Sequence, residues 1–230
     1  MNLPLWRKRI IIFLTLILIC SNSFANADLY KQARQLQREG KYGEAIEGFN
    51  NYLLQPMNNS NLSSQQVVIY TEALVQLMNT YQSKGEPEAC ISHLQEVFKA
   101  SPTLQNQCLR DYYSVMGYAL SRTERMQEAE ETMLKALALP LYQATPERYF
   151  RDYAYAAAVF YSNPNYRKEV VNWCEEAMAQ ADLCKNTSGK QWVAAMLGSV
   201  YKRNGHINKA IELFLQGKEE ANARKDDLGV

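Results

Sequence analysis

The sequence predicts an all-α protein, an α–α superhelix built from about five helical hairpins. Three observations support this prediction. Apolar residues recur at helical spacing through most of the 230-residue chain, and no alternating strand pattern is present. Small residues recur about every 40 positions with the same neighbours at the same offsets. Glycine or proline follows many of these apolar stretches, where a helix would end.

The first 27 residues have the three parts of a secretory signal peptide. A cluster of three basic residues precedes the uncharged apolar run 10–20, and Ala25 to Ala27 match the small-residue cleavage pattern. Cleavage after Ala27 predicts a periplasmic or secreted protein. An uncleaved membrane anchor is the alternative, although the run is shorter than the roughly 20 apolar residues that span a bilayer. Lipidation at Cys20 is a third interpretation, but Ile19 precedes it where a small residue is usual.

The charge of the mature chain argues against strongly charged partners. Removal of residues 1–27 leaves 22 basic and 24 acidic residues, a net charge of about −2. A nearly neutral chain without a dense Lys/Arg run lacks the basic surface that binds nucleic acid. It equally lacks the basic cluster that binds anionic lipid. We therefore expect no nucleic-acid partner, and no membrane contact in the mature form.

The mature chain keeps four cysteines, which are Cys90, Cys108, Cys174 and Cys184. Export would permit disulfides, but ten residues on or near one helix separate Cys174 from Cys184 by roughly 15 Å. A disulfide needs Cα atoms within about 7 Å. We expect reduced, mostly buried thiols. No C-x-x-C or Cys/His cluster suggests a metal, and no cofactor is predicted.

The five repeats align on a residue early in the second helix of each hairpin. At this position stand Ala45, Cys90, Ala129, Val170 and Ala210. Two helices approach closely only where both carry small side chains. The close contacts predicted on this basis are Ala33 with Ala45, Gly117 with Ala129, and Gly198 with Ala210.

The predicted helices run near residues 28–39, 42–54, 65–83, 87–100, 106–122, 126–138, 146–162, 166–182, 189–203 and 207–223. Gly40, Gly85 and Gly205 are predicted to end the first helix of their hairpins, because glycine readily adopts a positive φ. Prolines follow three of the second helices, at Pro56, Pro102 and Pro140. The repeat domain is thus predicted to cover residues 28–223, followed by a C-terminal tail at 224–230.

Three stretches resemble the tetratricopeptide repeat (TPR) family: Gly40–Phe49, Met116–Leu120 with Glu128–Met133, and Leu197–Phe214. The resemblance covers nearly all of residues 28–222 and implies a TPR-like solenoid whose first helices line a concave face. The sequence departs from the family in three ways. Its period exceeds the usual 34, Met78 replaces a small residue, and the fourth repeat matches least well.

This resemblance implies a non-enzymatic, exported scaffold or adaptor that binds a protein or peptide along the concave face. The partner-binding residues would be Tyr30, Arg34, Asn79, Asp111, Ser114, Tyr118, Arg122, Asp152, Tyr155 and Lys202. Tyrosine rings give contact area at low entropic cost, and isolated charges would fix the register of an extended peptide. The alternative is that these residues are only the polar face of amphipathic helices. The carboxylate clamp of chaperone-binding TPR proteins is absent from the matching positions.

No catalytic or metal-binding residues are predicted, because the acidic residues around Glu130 share one exposed helix surface and neither histidine has a nucleophile beside it. The alternative function is a sensory or regulatory TPR region of a bacterial two-component or transcriptional regulator. The last helix still carries Ile211, Phe214 and Leu215. Two hypotheses follow: the chain is the front of a longer protein, or its C-terminal repeat stacks against a partner or a second copy.

Overall fold

The computed structural model describes residues 28–54 and 62–227, which form paired helices joined by short turns. In chain order the helices are α1 over 28–38, α2 Tyr42–Leu54, α3 Ser64–Lys84, α4 Pro87–Ala100, α5 Pro102–Asn106, α6 Leu109–Ser121, α7 Met126–Ala138, α8 Pro146–Phe160, α9 Arg167–Leu183, α10 Thr187–Arg203 and α11 Ile207–Asp227. A single 3-10 turn, Pro164–Tyr166, precedes α9. The predicted signal peptide and Pro56 lie outside the described residues.

The prediction of an all-α, TPR-like superhelix is confirmed, and no strand is present in the described ranges. Five hairpins, from α1–α2 to α10–α11, stack so that α1, α3, α6, α8 and α10 form an inner layer and their partners an outer one. Each inner helix also packs on the outer helix of the preceding hairpin. The inner layer is therefore where a concave surface would lie.

Most helices end within about three residues of the predicted bounds, and two elements differ more. Helix α5 was not predicted; it begins because the Ser101 hydroxyl accepts a hydrogen bond from the Leu104 N–H, and Pro102 suits the first turn. Leu104 is fully buried, so this short helix fills the gap between two hairpins. Helix α11 continues to Asp227, past the predicted domain end at residue 223.

The predicted glycine stops are confirmed. Gly40, Gly85 and Gly205 have φ values of 74°, 80° and 79°, a left-handed conformation that other residues adopt at a cost. At Gly85 the N–H donates to the Gln82 carbonyl, 3.1 Å away, which satisfies one of the last carbonyls of α3. These turns fix where each inner helix ends.

Glycine permits close helix packing within the hairpins, but not always against the predicted residue. A Cβ on Gly117 would lie 3.2 Å from the Ala129 carbonyl oxygen, so the predicted Gly117–Ala129 contact is confirmed. Gly198 instead faces Phe214, because a Cβ there would lie 2.7 Å from the ring. The nearest neighbour of Gly198 is thus one turn beyond the predicted Ala210. The ring fills the space that the glycine leaves empty.

Ala33 packs one turn beyond its predicted partner. A Cβ on Gly48 would lie 2.8 Å from the Ala33 Cβ, so Gly48 allows the close approach of α1 and α2. Ala45 is fully buried in the same hairpin. The recurring small residue therefore marks the buried side of each second helix, and the closest contact varies between hairpins.

Cys90, Cys108, Cys174 and Cys184 are free, as predicted, and the first three are buried. Burial raises the pKa of the Cys90, Cys108 and Cys174 thiols to about 12. They remain protonated at neutral pH and pack as small apolar groups. Among the described helices, none combines the length and apolar character needed to cross a membrane.

Candidate binding cleft

A buried ion pair joins α6 to α8 below the inner surface. The Arg148 side chain is fully buried, and its guanidinium donates two hydrogen bonds to the Asp111 carboxylate, one from Nε at 2.9 Å. It also donates to the backbone carbonyls of Tyr142 and Gln143 in the α7–α8 connection. Both charges are thus paired, as buried charges must be.

A second ion pair lies beside the first. Arg110 Nε is 2.5 Å from Asp152 Oδ2, and the same guanidinium donates to the Leu139 carbonyl at 2.6 Å. Burial, and to a smaller extent the neighbouring charge of Asp111, raises the pKa of Asp152 from 3.8 to about 6. The Arg110 charge and the Ser114 hydroxyl oppose this shift in the pKa. Asp152 therefore holds its charge at a cost in stability.

Arg151 extends this network of buried ion pairs to the N-terminal repeats. Its guanidinium lies 3.1 Å from Glu72 Oε2 and 3.8 Å from Asp111 Oδ1. Glu72 also accepts a hydrogen bond of 2.6 Å from the Gln76 amide, which in turn accepts one from Arg34. The charges in this half of the inner layer are therefore engaged within the protein.

Several predicted partner-binding residues consequently lie inside the protein. Asp111, Ser114 and Asp152 are at most 1 % exposed, and Tyr155 is 7 % exposed. The helical period correctly places them toward the inner layer, but α6 and α8 pack on one another and cover them. A partner lying on the surface would not contact these side chains directly.

The inner surface is open between α6, α8 and α10. A cleft of about 380 Å³ lies there, lined by Tyr118, Ser121, Arg122, Ala158, Tyr161, Trp192, Ala195, Met196 and Ser199. Of the ten predicted residues, Tyr118 and Arg122 line this cleft. Trp192, Met196 and Tyr161 were not among them. Three successive repeats thus contribute to one concave site.

Aromatic rings form one wall of the cleft. Tyr118 and Tyr155 are stacked, with 4.3 Å between ring centroids and 5° between ring planes. The Trp192 ring meets both edge-on, with centroids 6.0 Å from Tyr118 and 6.3 Å from Tyr155. Trp192 is 38 % exposed although it is a large aromatic residue. The wall therefore offers an aromatic surface that is rigidly supported from below.

The remaining predicted residues lie elsewhere on the inner layer. Tyr30 is half-buried on α1 and packs against Phe49 and Tyr52. Arg34 and Asn79 are also half-buried, on α1 and α3. Lys202 is exposed in the last turn of α10, three residues beyond Ser199. Only Lys202 of this group is on a helix that forms the cleft.

Helix α11 carries an exposed apolar stripe. Ile207, Ile211, Phe214 and Leu215 are between 42 and 53 % exposed. At the position that corresponds to Phe214, Met133 in α7 and Cys174 in α9 are fully buried. Self-association through the C-terminal repeat would use this stripe, and it stays a prediction.

Comparisons with known proteins agree with this architecture. The tetratricopeptide repeat family profile matches residues 111–140 and 193–223, the hairpins α6–α7 and α10–α11. These two hairpins are tetratricopeptide repeats. No curated protein matches the sequence of the chain significantly. Among the described residues of this TPR protein, no group of histidine, cysteine and acidic side chains has the arrangement of a metal site.

Solved structures show the same fold at low sequence identity. A kinesin light chain-type protein of Podosopora anserina with nearly identical TPR-like repeats is 19% identical, with 87% of this chain and 96% of that chain covered and a TM-score of 0.55. BtubC from P. vanneervenii is 14% identical, with coverages of 90% and 91% and a TM-score of 0.54. MamA from Desulfovibrio magneticus RS-1 is 14% identical, with coverages of 86% and 96% and a TM-score of 0.51. The TPR scaffold is consistent with a protein-binding adaptor.

Proposed function

We propose that this TPR protein is a non-enzymatic adaptor that binds a peptide segment of a protein partner in the cleft between α6, α8 and α10. The observation that carries the proposal is the open, aromatic-walled concavity of about 380 Å³, to which three repeats contribute. This volume lies in the range of small ligand pockets and accommodates one or two side chains. A longer peptide would continue along the inner layer.

The residue types in the cleft support recognition of a protein. Trp, Tyr and Arg dominate the energetics of protein interfaces when truncated to alanine. The cleft presents Trp192, Tyr118 and Arg122 together. The stacking of Tyr118 on the buried Tyr155 limits its freedom before a partner arrives, which reduces the entropic cost of binding.

The state of the potentially reactive groups supports a non-enzymatic role. The buried carboxylates of Asp111 and Asp152 are paired with arginines. The raised pKa values of Cys90, Cys108 and Cys174 keep these thiols protonated, so they are poor nucleophiles. No feature of the described residues favours the regulatory alternative.

Export to the periplasm or the exterior is part of the proposal, and it rests on the sequence of residues 1–27. Mass spectrometry of the protein purified from expressing bacteria tests it. We expect a chain that begins at Asp28 and is recovered in the periplasmic fraction. Recovery of the full chain from Met1, with its apolar run intact, would contradict cleavage.

Affinity capture from periplasmic extract tests the binding site. We expect the mature protein to retain specific partners that Trp192→Ala loses. Leu134→Ala is the matched control, because Leu134 is a similarly exposed apolar residue on the outer helix α7. Circular dichroism would show that each variant is folded. Equal recovery by Trp192→Ala and the unaltered protein would mean that the cleft is not the binding site.

A further inference from the structure

We infer that the cleft selects acidic peptide segments, in which a bulky apolar side chain contacts Tyr118 and Trp192 while a neighbouring Asp or Glu side chain pairs with Arg122. This inference rests on the proposed function and adds the chemistry of the partner. It follows from three features: an uncompensated positive charge, an apolar floor, and polar groups that are already engaged.

The positive charge of the cleft comes from Arg122. Arg122 is exposed, and no other residue that lines the cleft is charged. Within the described part of the chain, no carboxylate lies within ion-pair distance of it. Its charge reaches the cleft wall, since it opposes the rise in the pKa of Tyr118 that burial causes. A ligand carboxylate would therefore gain an ion pair without displacing an existing one.

This uncompensated charge contrasts with the rest of the inner layer. Arg110, Arg148 and Arg151 each have a carboxylate partner within 4 Å. Lys202, at the end of α10, is exposed, and no carboxylate in the described ranges pairs with it. Arg122 directly follows α6 and Lys202 is in the last turn of α10, the two helices on either side of α8 in the cleft. An acidic segment would be attracted by both residues, and a basic one repelled.

The apolar floor of the cleft sets the second requirement on the ligand. Ala158 and Ala195 have small side chains, which leave space above α8 and α10. Trp192 and Met196 border this space with apolar surface. Methionine adapts its shape to irregular partners, so the floor would accept Leu, Ile, Met or Phe. Burial of such a side chain against this apolar surface would favour binding.

The two serine hydroxyls of the cleft favour a carboxylate on a side chain over one at a chain terminus. Ser121 Oγ donates to the Tyr118 carbonyl at 2.7 Å, and Ser199 Oγ donates to the Ala195 carbonyl at 2.9 Å. Neither hydroxyl has a hydrogen left for a ligand. Capture of a C-terminal carboxylate uses several converging donors, whereas Arg122, the one charged residue of the described cleft lining, suits a single acidic side chain in a segment that passes through.

Selection from a displayed library of random heptapeptides tests the inference. The baits are the mature protein, Trp192→Ala and Arg122→Glu, with Lys168→Glu as a matched charge reversal at an exposed position on the outer helix α9. Selected sequences are then synthesised with blocked ends and a fluorescent label. We expect Asp or Glu next to a bulky apolar residue. Affinity should fall about tenfold or more with Arg122→Glu and little with Lys168→Glu.

Each other outcome overturns a defined part of the inference. Neutral or basic peptides that depend on Trp192 would refute the acidic selectivity and leave the proposed function standing. Peptides that bind only with a free C-terminal carboxylate would refute the side-chain assignment. Failure to recover any peptide that depends on Trp192, with folded variants, would refute the cleft as a peptide site and the proposed function with it.

Discussion

The rings of Tyr118 and Tyr155 lie parallel, 4.3 Å apart, although they belong to successive repeats. One ring is at the surface and the other is buried beneath it. We expect their interaction to contribute about 0.5–1.5 kcal/mol to the free energy of unfolding beyond the area that they bury. A double-mutant cycle with Tyr118→Ala and Tyr155→Ala, read by urea unfolding, measures this coupling.

A second cycle is the control for this prediction. It pairs Tyr118→Ala with Tyr52→Ala, because the Tyr52 ring contacts Tyr30 and Tyr70 in the first two repeats. Substitutions without shared partners are additive within about 0.5 kcal/mol. Equal coupling in the two cycles would show that the stack has no energetic role of its own.

Alanine at Gly117 should destabilise the protein, and alanine at Gly217 should not. Both glycines are in helices, where alanine is favoured by about 1 kcal/mol. A Cβ on Gly117 would lie 3.2 Å from backbone atoms of α7, which cannot move without displacing the helix. Overpacking of this kind costs roughly 1–3 kcal/mol. A Cβ on Gly217 meets nothing within 4 Å.

Thermal unfolding measures the difference. We expect the melting temperature to fall for Gly117→Ala and to stay level or rise for Gly217→Ala. A rise for both variants would mean that α6 and α7 can separate freely, and that the repeat does not depend on glycine at this position.

Removal of Arg148 should be strongly destabilising because it leaves Asp111 buried without its main partner. Breaking a buried ion pair costs about 3–5 kcal/mol, which we expect for Arg148→Met in urea unfolding. Adding Asp111→Leu removes the orphaned charge and should restore at least half of the loss. Lys84→Ala, which breaks an exposed pair with Glu86, should cost less than about 1 kcal/mol. A double variant no better than Arg148→Met would contradict this account.

The raised pKa of Asp152 predicts a pH dependence of stability. Folding favours the protonated carboxyl, whose pKa rises from 3.8 to about 6, so its stabilising contribution is present below pH 4. This contribution is lost as the pH rises toward and past about 6. Asp152→Asn cannot ionise, so its stability relative to the unaltered protein should increase between pH 4 and pH 7, by at most about 3 kcal/mol. Parallel urea titrations across this range measure the difference, and a constant difference would contradict it.

The sequence predicted the helices well because local residues determine them. Gly40, Gly85 and Gly205 end inner helices through their own backbone freedom, which needs no knowledge of the neighbours. The exact partners in each hairpin were less predictable. The nearest neighbour of Gly198 is Phe214, one turn beyond the predicted Ala210, because the offset between two helices depends on the whole interface.

The cleft was predicted only in part, because periodicity identifies which residues share a helix face but not how deeply that face is buried. Asp111 and Asp152 are on the predicted face, yet the neighbouring inner helix buries them. Their partners Arg148 and Arg110 are 37 and 42 residues away, so no local spacing reveals the ion pairs. Trp192 precedes Lys202, the predicted partner-binding residue of α10, and its ring contacts two other repeats. Its exposure is visible only in the folded array.

The two walls of the cleft differ in how firmly they are anchored. Tyr118 belongs to a block in which α3, α6 and α8 are cross-linked by buried charges. In the described ranges α10 is held to α6 and α8 by the Trp192 ring and a hydrogen bond from Arg203 to the Tyr161 carbonyl, but by no ion pair. It follows α9 through a turn of three residues, 184–186. We expect the α6 and α8 side of the cleft to stay in place, and α10 to move about the turn at 184–186, which acts as a hinge. The time that a ligand stays bound would then depend on how often this hinge opens, and stiffening the turn would lengthen that time.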